Sequence, residues 1–339
     1  MKLGFSPIQG DRNYRQAIEQ VQFAEEHGLD SVFLQEHHEA EVEQYWSDPL
    51  SVLSGFATVT DEIDLGTAIL LLPLYDPVRL AERGAILDGL SDGRFILGAA
   101  VGYRPREFEL FGVPRDDRGR IYEESLRLVS RLWSEAPVTF EGTSHSVEAF
   151  TCTPRPVQSP RPRIWVGGYH DVVLDRTARL RRDGLADCWF PGTQPDREGL
   201  ADRRDRFDDM LSKRGVDPET VEQPLFRDGI IAETTEEALE LAHEYLVPGY
   251  EKQYEGRGHE ASAQGDLGHD VLRGEYDPAD LVEDRFIVGD PDDWVRELES
   301  YEAHLGVDHV VARIYFEGMD HETVMDQLEL LCAEVAPRV

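Results

Sequence analysis

Ser31-Val32-Phe33-Leu34-Gln35-Glu36-His37-His38 decides how the rest of the chain is read. The run from Ser31 to Gln35 predicts a strand covered on both faces, as the strands of a parallel sheet are. It leads without a break into three ionisable side chains. Parallel strands deliver whatever follows them to the C-terminal edge of the sheet, where α/β folds assemble their sites from loops. Glu36, His37 and His38 are therefore the first candidate site.

On either side of this stretch, strand-like runs alternate with helical patterns. Lys2 to Ser6 reads as a strand, and Tyr14 to His27 as a helix with Ala17, Ile18, Val21 and Ala24 on one face, closed by Gly28. Ser47-Asp48-Pro49 supplies a cap and a first-turn proline for a helix reaching about Thr60. Ile63 to Leu72 is the third strand, Pro77 to Leu90 a helix and Arg94 to Ala99 the fourth strand. A loop from Ala100 to Gly119 precedes a helix over Arg120 to Ser134, and Val138 to Val147 reads as a small hairpin. Arg163 to Val166 is the fifth strand, and Ala186 to Phe190, Leu225 to Ala232 and His309 to Ile314 serve as the last three. Eight βα units without a break in composition predict one α/β domain over residues 1–339, a (β/α)8 TIM barrel with insertions. A doubly wound open sheet is the alternative. Only Pro248 to Arg285 departs from the repeat; its glycines and lack of hydrophobic period predict a lid.

Composition narrows the partners. The chain carries 68 acidic against 34 basic residues, a formal charge of -34, which repels a phosphate backbone or an anionic membrane. Neither nucleic acid nor membrane is an expected partner. Only Lys2, Lys213 and Lys252 are lysines, and acidic residues are spread over every predicted helix, a pattern that resembles adaptation to high salt. The strand at Lys2 begins with no leader pattern before it, so a cytoplasmic protein is expected. Cys152, Cys188 and Cys332 lack both pairing and metal-ligand spacing and read as reduced thiols.

The other strands deliver less obvious chemistry. The third brings Ala68-Ile69, with nothing ionisable, and the fourth brings the loop from Ala100 to Arg106. The fifth brings Gly167-Gly168-Tyr169-His170, where two glycines before a helix let backbone N–H groups approach a phosphate, although a tight turn needs glycine equally. Adjacent histidines in extended backbone point to opposite sides and no third ligand lies nearby, so no metal site is expected. Neither a Gly-x-Ser-x-Gly elbow nor a Gly-x-Gly-x-x-Gly fingerprint is present.

A series of short motifs, in order along the chain, resembles the bacterial luciferase-like monooxygenase family. They are Glu36-His37-His38, Ser47-Asp48-Pro49-Leu50, Leu65-Gly66-Thr67-Ala68 through Pro73, Asp76-Pro77-Val78-Arg79, Gly93-Arg94-Phe95, Gly102-Tyr103-Arg104-Pro105 with Glu107-Phe108, Ile164-Trp165-Val166-Gly167-Gly168 and Val288-Gly289-Asp290-Pro291. The resemblance implies a barrel that binds reduced FMN, or coenzyme F420 in related branches, at its C-terminal mouth. It places the cofactor ring against Ala68-Ile69, where such proteins often carry a non-proline cis peptide, and makes His37, with Glu36, the catalytic acid/base. Arg118 and the Gly167-Gly168-Tyr169 turn match phosphate-binding positions, and Ala100 and Tyr103 complete the cofactor-binding set. Val101, Ala100 and Tyr169 stand where luciferases carry an arginine, a cysteine and a serine. The implied activity is oxidation of a small organic substrate with O2 and reduced FMN supplied by a flavin reductase, in a homodimer. Hydride transfer with F420 and a non-catalytic flavin-binding subunit are the alternatives, and the acidic composition implies a haloarchaeal source.

Overall fold

A curled parallel sheet frames the molecule, and most of its strands are the apolar runs read above. The structure is a computed structural model that describes residues 1–8, 13–38, 45–193, 195–254 and 285–339. Its strands are β1 (Lys2–Ser6), β2 (Ser31–Leu34), β3 (Asp64–Thr67), β4 (Leu70–Leu71), β5 (Phe95–Ala100), β6 (Val138–Glu141), β7 (Ser146–Phe150), β8 (Arg163–Gly167), β9 (Cys188–Phe190), β10 (Pro224–Ile231), β11 (Ile287–Gly289) and β12 (His309–Arg313). The ladder runs β11-β10-β12-β1-β2-β3-β5-β8-β9, with β4 beside β5 and β6-β7 a separate antiparallel hairpin. Every pairing in the main sheet is parallel. Between β9 and β10 the ladder stops, and one backbone bond, Phe226 N–H to Pro191 O at 3.2 Å, crosses the gap.

Helices cover the outer face: α1 (Tyr14–Glu26), α2 (Pro49–Ala57), α3 (Pro77–Leu90), α4 (Pro105–Phe111), α5 (Arg118–Ser134), α6 (Asp171–Arg182), α7 (Arg197–Ser212), α8 (Thr235–Leu241), α9 (Val247–Tyr254), α10 (Pro291–Leu305) and α11 (His321–Leu330). Their starts follow from local chemistry. Asp48, Asp76 and Asp290 each precede a proline and accept the N–H of the third residue on, satisfying an orphan donor of the first turn. Val32, Phe33 and Leu34 are fully buried, as a strand between helices and the sheet interior must be. Inside the curl, Ser31 Oγ lies 2.7 Å from His309 Nε2, and burial pushes that imidazole down to about 3, so it stays neutral.

Several boundaries differ from expectation, each with a local cause. The third run is two strands, because the chain turns at a cis Ala68-Ile69 peptide before β4 and then winds into a 3-10 turn over Leu72–Leu74. The helix expected to reach Thr60 ends at Ala57, where Thr58 Oγ1 bonds back to Gly55 O at 2.7 Å. The helix expected from Arg120 begins at Arg118, and β11 is a strand the sequence reading did not assign. Gly98 shows how tightly β3 and β5 meet: a Cβ there would lie 1.9 Å from Thr67 O. The expected lid falls mostly on residues 255–284, outside the described residues; its first part, Pro248 to Tyr254, is all of α9 but the first residue.

Candidate active site

The Glu36-His37-His38 segment is held by its flanks. Glu36 forms a parallel bridge with Trp46, and Trp46 N–H donates to Gln35 O at 3.0 Å. The Glu36 side chain turns inward and is 2% exposed. One of its oxygens accepts Leu71 N–H at 2.7 Å, and the other accepts the Tyr75 hydroxyl at 2.6 Å and His38 Nε2 at 2.9 Å. Burial, followed by the Glu36 charge, pushes the Tyr75 hydroxyl far above its ordinary range, so it remains a donor. Burial opposes charge on His38, yet Glu36, Glu107 and Asp48 outweigh it and raise its pKa.

His37 points the other way, as adjacent residues of an extended chain do. Its Nδ1 lies 2.8 Å from Glu107 Oε1, which also accepts the His38 backbone N–H at 3.0 Å. Burial alone would raise the Glu107 carboxyl, but His37, the His38 N–H and Arg104 together hold it below the usual carboxylate range. With a carboxylate beside it, Nδ1 carries the ring proton, and in the neutral ring Nε2 is the basic nitrogen. Tyr45 and Tyr103 meet the imidazole edge-on, at 4.6 and 5.6 Å between ring centroids. Arg104 lies over both tyrosines, at 5.6 and 5.7 Å.

Glu36, His37, Tyr45 and Tyr103 line a cavity of about 260 Å³ at the C-terminal ends of the strands. All the residues expected there line it: Glu36, His37, Ala68, Ile69, Ala100, Tyr103, Arg118, Gly167, Gly168 and Tyr169. Ala68-Ile69, Ala100 and Gly167 form a bed of backbone and small side chains. A Cβ on Gly167 would stand 2.8 Å from Ile69 Cγ2 and 3.3 Å from Ala100 Cβ, so only glycine leaves this surface flush. Gly168, at φ +126°, adopts a backbone that other residues rarely take. Arg118, which lines the same cavity, stands at the first residue of α5, with Nη1 donating to Arg115 O at 2.7 Å. A flat ring fits the bed, and an anionic tail fits the Arg115, Arg118 and Gly167-Gly168 end.

Sequence reasoning missed part of this lining and the carboxylate behind it. Glu107 was quoted only as part of a motif; its place two residues after the helix-starting Pro105 is the signal that would have put it in a first turn facing the mouth. Arg115 and Tyr45 had no local signal. On the wall formed by β10 and β12, Arg313 donates to Asp228 through Nε at 2.7 Å and Nη2 at 2.5 Å. Tyr250 also donates its hydroxyl to Asp228 and lies 2.9 Å from Thr193 Oγ1. Burial would lower the Arg313 pKa, but Asp228 overrides it and the guanidinium stays charged. No group of three or more His, Cys, Asp or Glu among the described residues is placed to hold a metal, and no helix among them is long and apolar enough to cross a membrane.

The chain belongs to the family described as luciferase-like monooxygenase, whose model matches residues 3–309. It is 24% identical over 255 residues to the FMNH2-dependent dimethylsulfone monooxygenase of Pseudomonas putida, covering 74% of this chain and 64% of that protein. It is 26% identical over 324 residues to an F420-dependent glucose-6-phosphate dehydrogenase of Microbacterium testaceum, covering 93% and 90%. Other curated relatives share 28–35% identity, and the chain spans only 42–47% of their length. The crystal structure of monooxygenase RslO1 from Streptomyces bottropensis superposes with a TM-score of 0.80 at 23% identity over 99% of both chains, a likeness of fold.

Proposed function

We propose that this protein is a flavin-dependent oxidoreductase that uses reduced FMN and O2 to monooxygenate a small organic substrate, at the mouth of a barrel closed between β9 and β10. The observation that supports the reading is one cavity lined by a flush bed, a carboxylate-backed imidazole, two arginines and the Gly167-Gly168 turn. Bound reduced FMN would supply the electrons that activate oxygen. The chain supplies the rest. Ala68, Ile69, Ala100 and Gly167 hold the ring, Tyr103 and Tyr169 flank it, and Arg118, Arg115 and the Gly168 turn neutralise the phosphate. His37 Nε2 moves the proton, with Glu107 fixing the tautomer and steadying the charged ring. Glu36 is a positioning residue, because both of its oxygens are occupied by donors.

A second reading, hydride transfer with F420, is favoured by the relative aligned over 93% of this chain. The same bed and the same histidine would serve it. In the FMN reading the partner is a reductase that delivers reduced flavin, the assembly a homodimer, and the setting a saline cytoplasm of haloarchaeal type.

Titration of the purified protein with FMN, riboflavin and F420 in molar salt, followed by absorbance, tests the assignment. FMN is expected to bind more tightly than F420, and Arg118→Ala to weaken FMN at least tenfold while leaving riboflavin within about twofold. Tighter F420 binding selects the second reading, and equal losses for FMN and riboflavin remove the phosphate assignment.

A further inference from the structure

The polar cluster on β10 and β12 takes no part in the reading above. In the sheet order it lies across the mouth from the bed: β12 adjoins β10 and β1, whereas the bed comes from the turn between β3 and β4 and from β5 and β8. Arg313 is 4% exposed and Asp228 is fully buried, yet Arg313 lines the cavity. It lies beyond residue 309, where the match to the family model ends. A buried ion pair gains little stability over an apolar pair of the same size, because desolving two charges offsets their attraction. Stability alone therefore does not account for a guanidinium at this wall.

Hydrogen-bond direction shows what the cluster presents. A carboxylate only accepts, so the Tyr250 O–H donates to Asp228, and Thr193 in turn donates to the Tyr250 oxygen. Arg313 spends its Nε–H and one Nη2–H on Asp228, which leaves three N–H donors on its terminal nitrogens, and the residue lines the cavity. The pair is neutral as a whole and offers an oriented N–H. Beside it, Phe190, Pro191 and Phe226 give an apolar wall.

We infer that Arg313 is a specificity-determining residue whose remaining guanidinium N–H donors bind an acceptor oxygen on an sp2 carbon of the substrate, a carbonyl or a carboxylate, with the apolar remainder against Phe190 and Phe226. Substrates without such an oxygen leave a buried N–H unpaired, which is how polar sites discriminate strongly. The inference rests on the reading above only for where the cofactor ring lies.

The test is titration of the FMN-loaded protein with acetophenone, benzoate and ethylbenzene, read by the flavin difference spectrum and by calorimetry. Acetophenone or benzoate is expected to bind at least tenfold more tightly than ethylbenzene, the better of the two telling carbonyl from carboxylate. Arg313→Gln combined with Asp228→Asn, which removes both charges together, should bring the three probes within about twofold while FMN affinity is kept. Equal binding of all three to the unaltered protein, or a preference that survives in the double variant, overturns the inference and leaves the cofactor reading standing. Should the double variant fail to fold, the comparison in the unaltered protein decides. If the protein takes up neither FMN nor F420, the cofactor reading fails, and calorimetry of the same probes on the cofactor-free chain still reads the Arg313 preference.

Discussion

At the scale of single residues, the site turns on two carboxylates with different duties. Glu107 backs His37, so His37→Ala should lower turnover by about a hundredfold or more while cofactor affinity stays within about twofold. Full activity would make the imidazole a wall residue. Because the folded protein holds Glu107 below its ordinary value of 4.5, its contribution to stability is complete above pH 4.5 and fades as the pH falls through the depressed value. His38 has the opposite sign: its raised pKa contributes fully below 6.5 and is lost as the pH rises through the folded value. Glu107→Gln is expected to cost roughly 1.5–3 kcal/mol at pH 6, the worth of hydrogen bonds to a charged group. That deficit should shrink on acidification, as urea unfolding at pH 6 and pH 3.5 would reveal; a deficit independent of pH would mean that the lost charge is irrelevant. The Glu-His-His run was legible because a strand leads into it. Glu107 and Arg313 were not, since their partners are 70 and 85 residues away and no local pattern encodes such a meeting.

At the scale of elements, apolar runs located the main parallel strands, and Ser47-Asp48-Pro49 located the helix start at Pro49; the same aspartate-proline cap starts the helices at Pro77 and Pro291. The break after Thr67 was hidden, because Ile63 to Leu72 stays apolar through the turn and periodicity reports burial, not direction. β11 was missed because three residues are too few for a pattern. The β3–β5 contact gives a test of how closely the bed is supported. Gly98→Ala would drive a methyl group to 1.9 Å from Thr67 O, and backbone on both sides cannot swing away as a side chain can. A loss of about 1–3 kcal/mol or more is expected, typical of overpacking, together with weaker cofactor binding since Thr67 precedes Ala68. A stable variant with normal binding would show that the strands separate without disturbing the bed.

At the scale of the whole molecule, a charge of -34 with three lysines among 34 basic residues dominates. Arginine pairs such as Arg131–Glu135 and Arg206–Asp171 are exposed and worth little each. Self-repulsion is the larger effect, and it falls as the screening length drops from about 10 Å at 0.1 M salt to about 3 Å at 1 M. The Tm should therefore climb steadily from 0.1 to 2 M KCl, and a Tm that is flat or falls would remove the reading of a salt-adapted surface. The charge itself is legible from composition, because net charge does not depend on the fold.

Glu36 is one acidic residue that belongs to the interior, and its three donors define what it does there. By gripping Leu71 on one side and His38 on the other, it ties the strand that carries the bed to the loop that carries the imidazole. Both are thus referred to a common datum. A single buried carboxylate thereby sets the spacing between the bed and the imidazole loop.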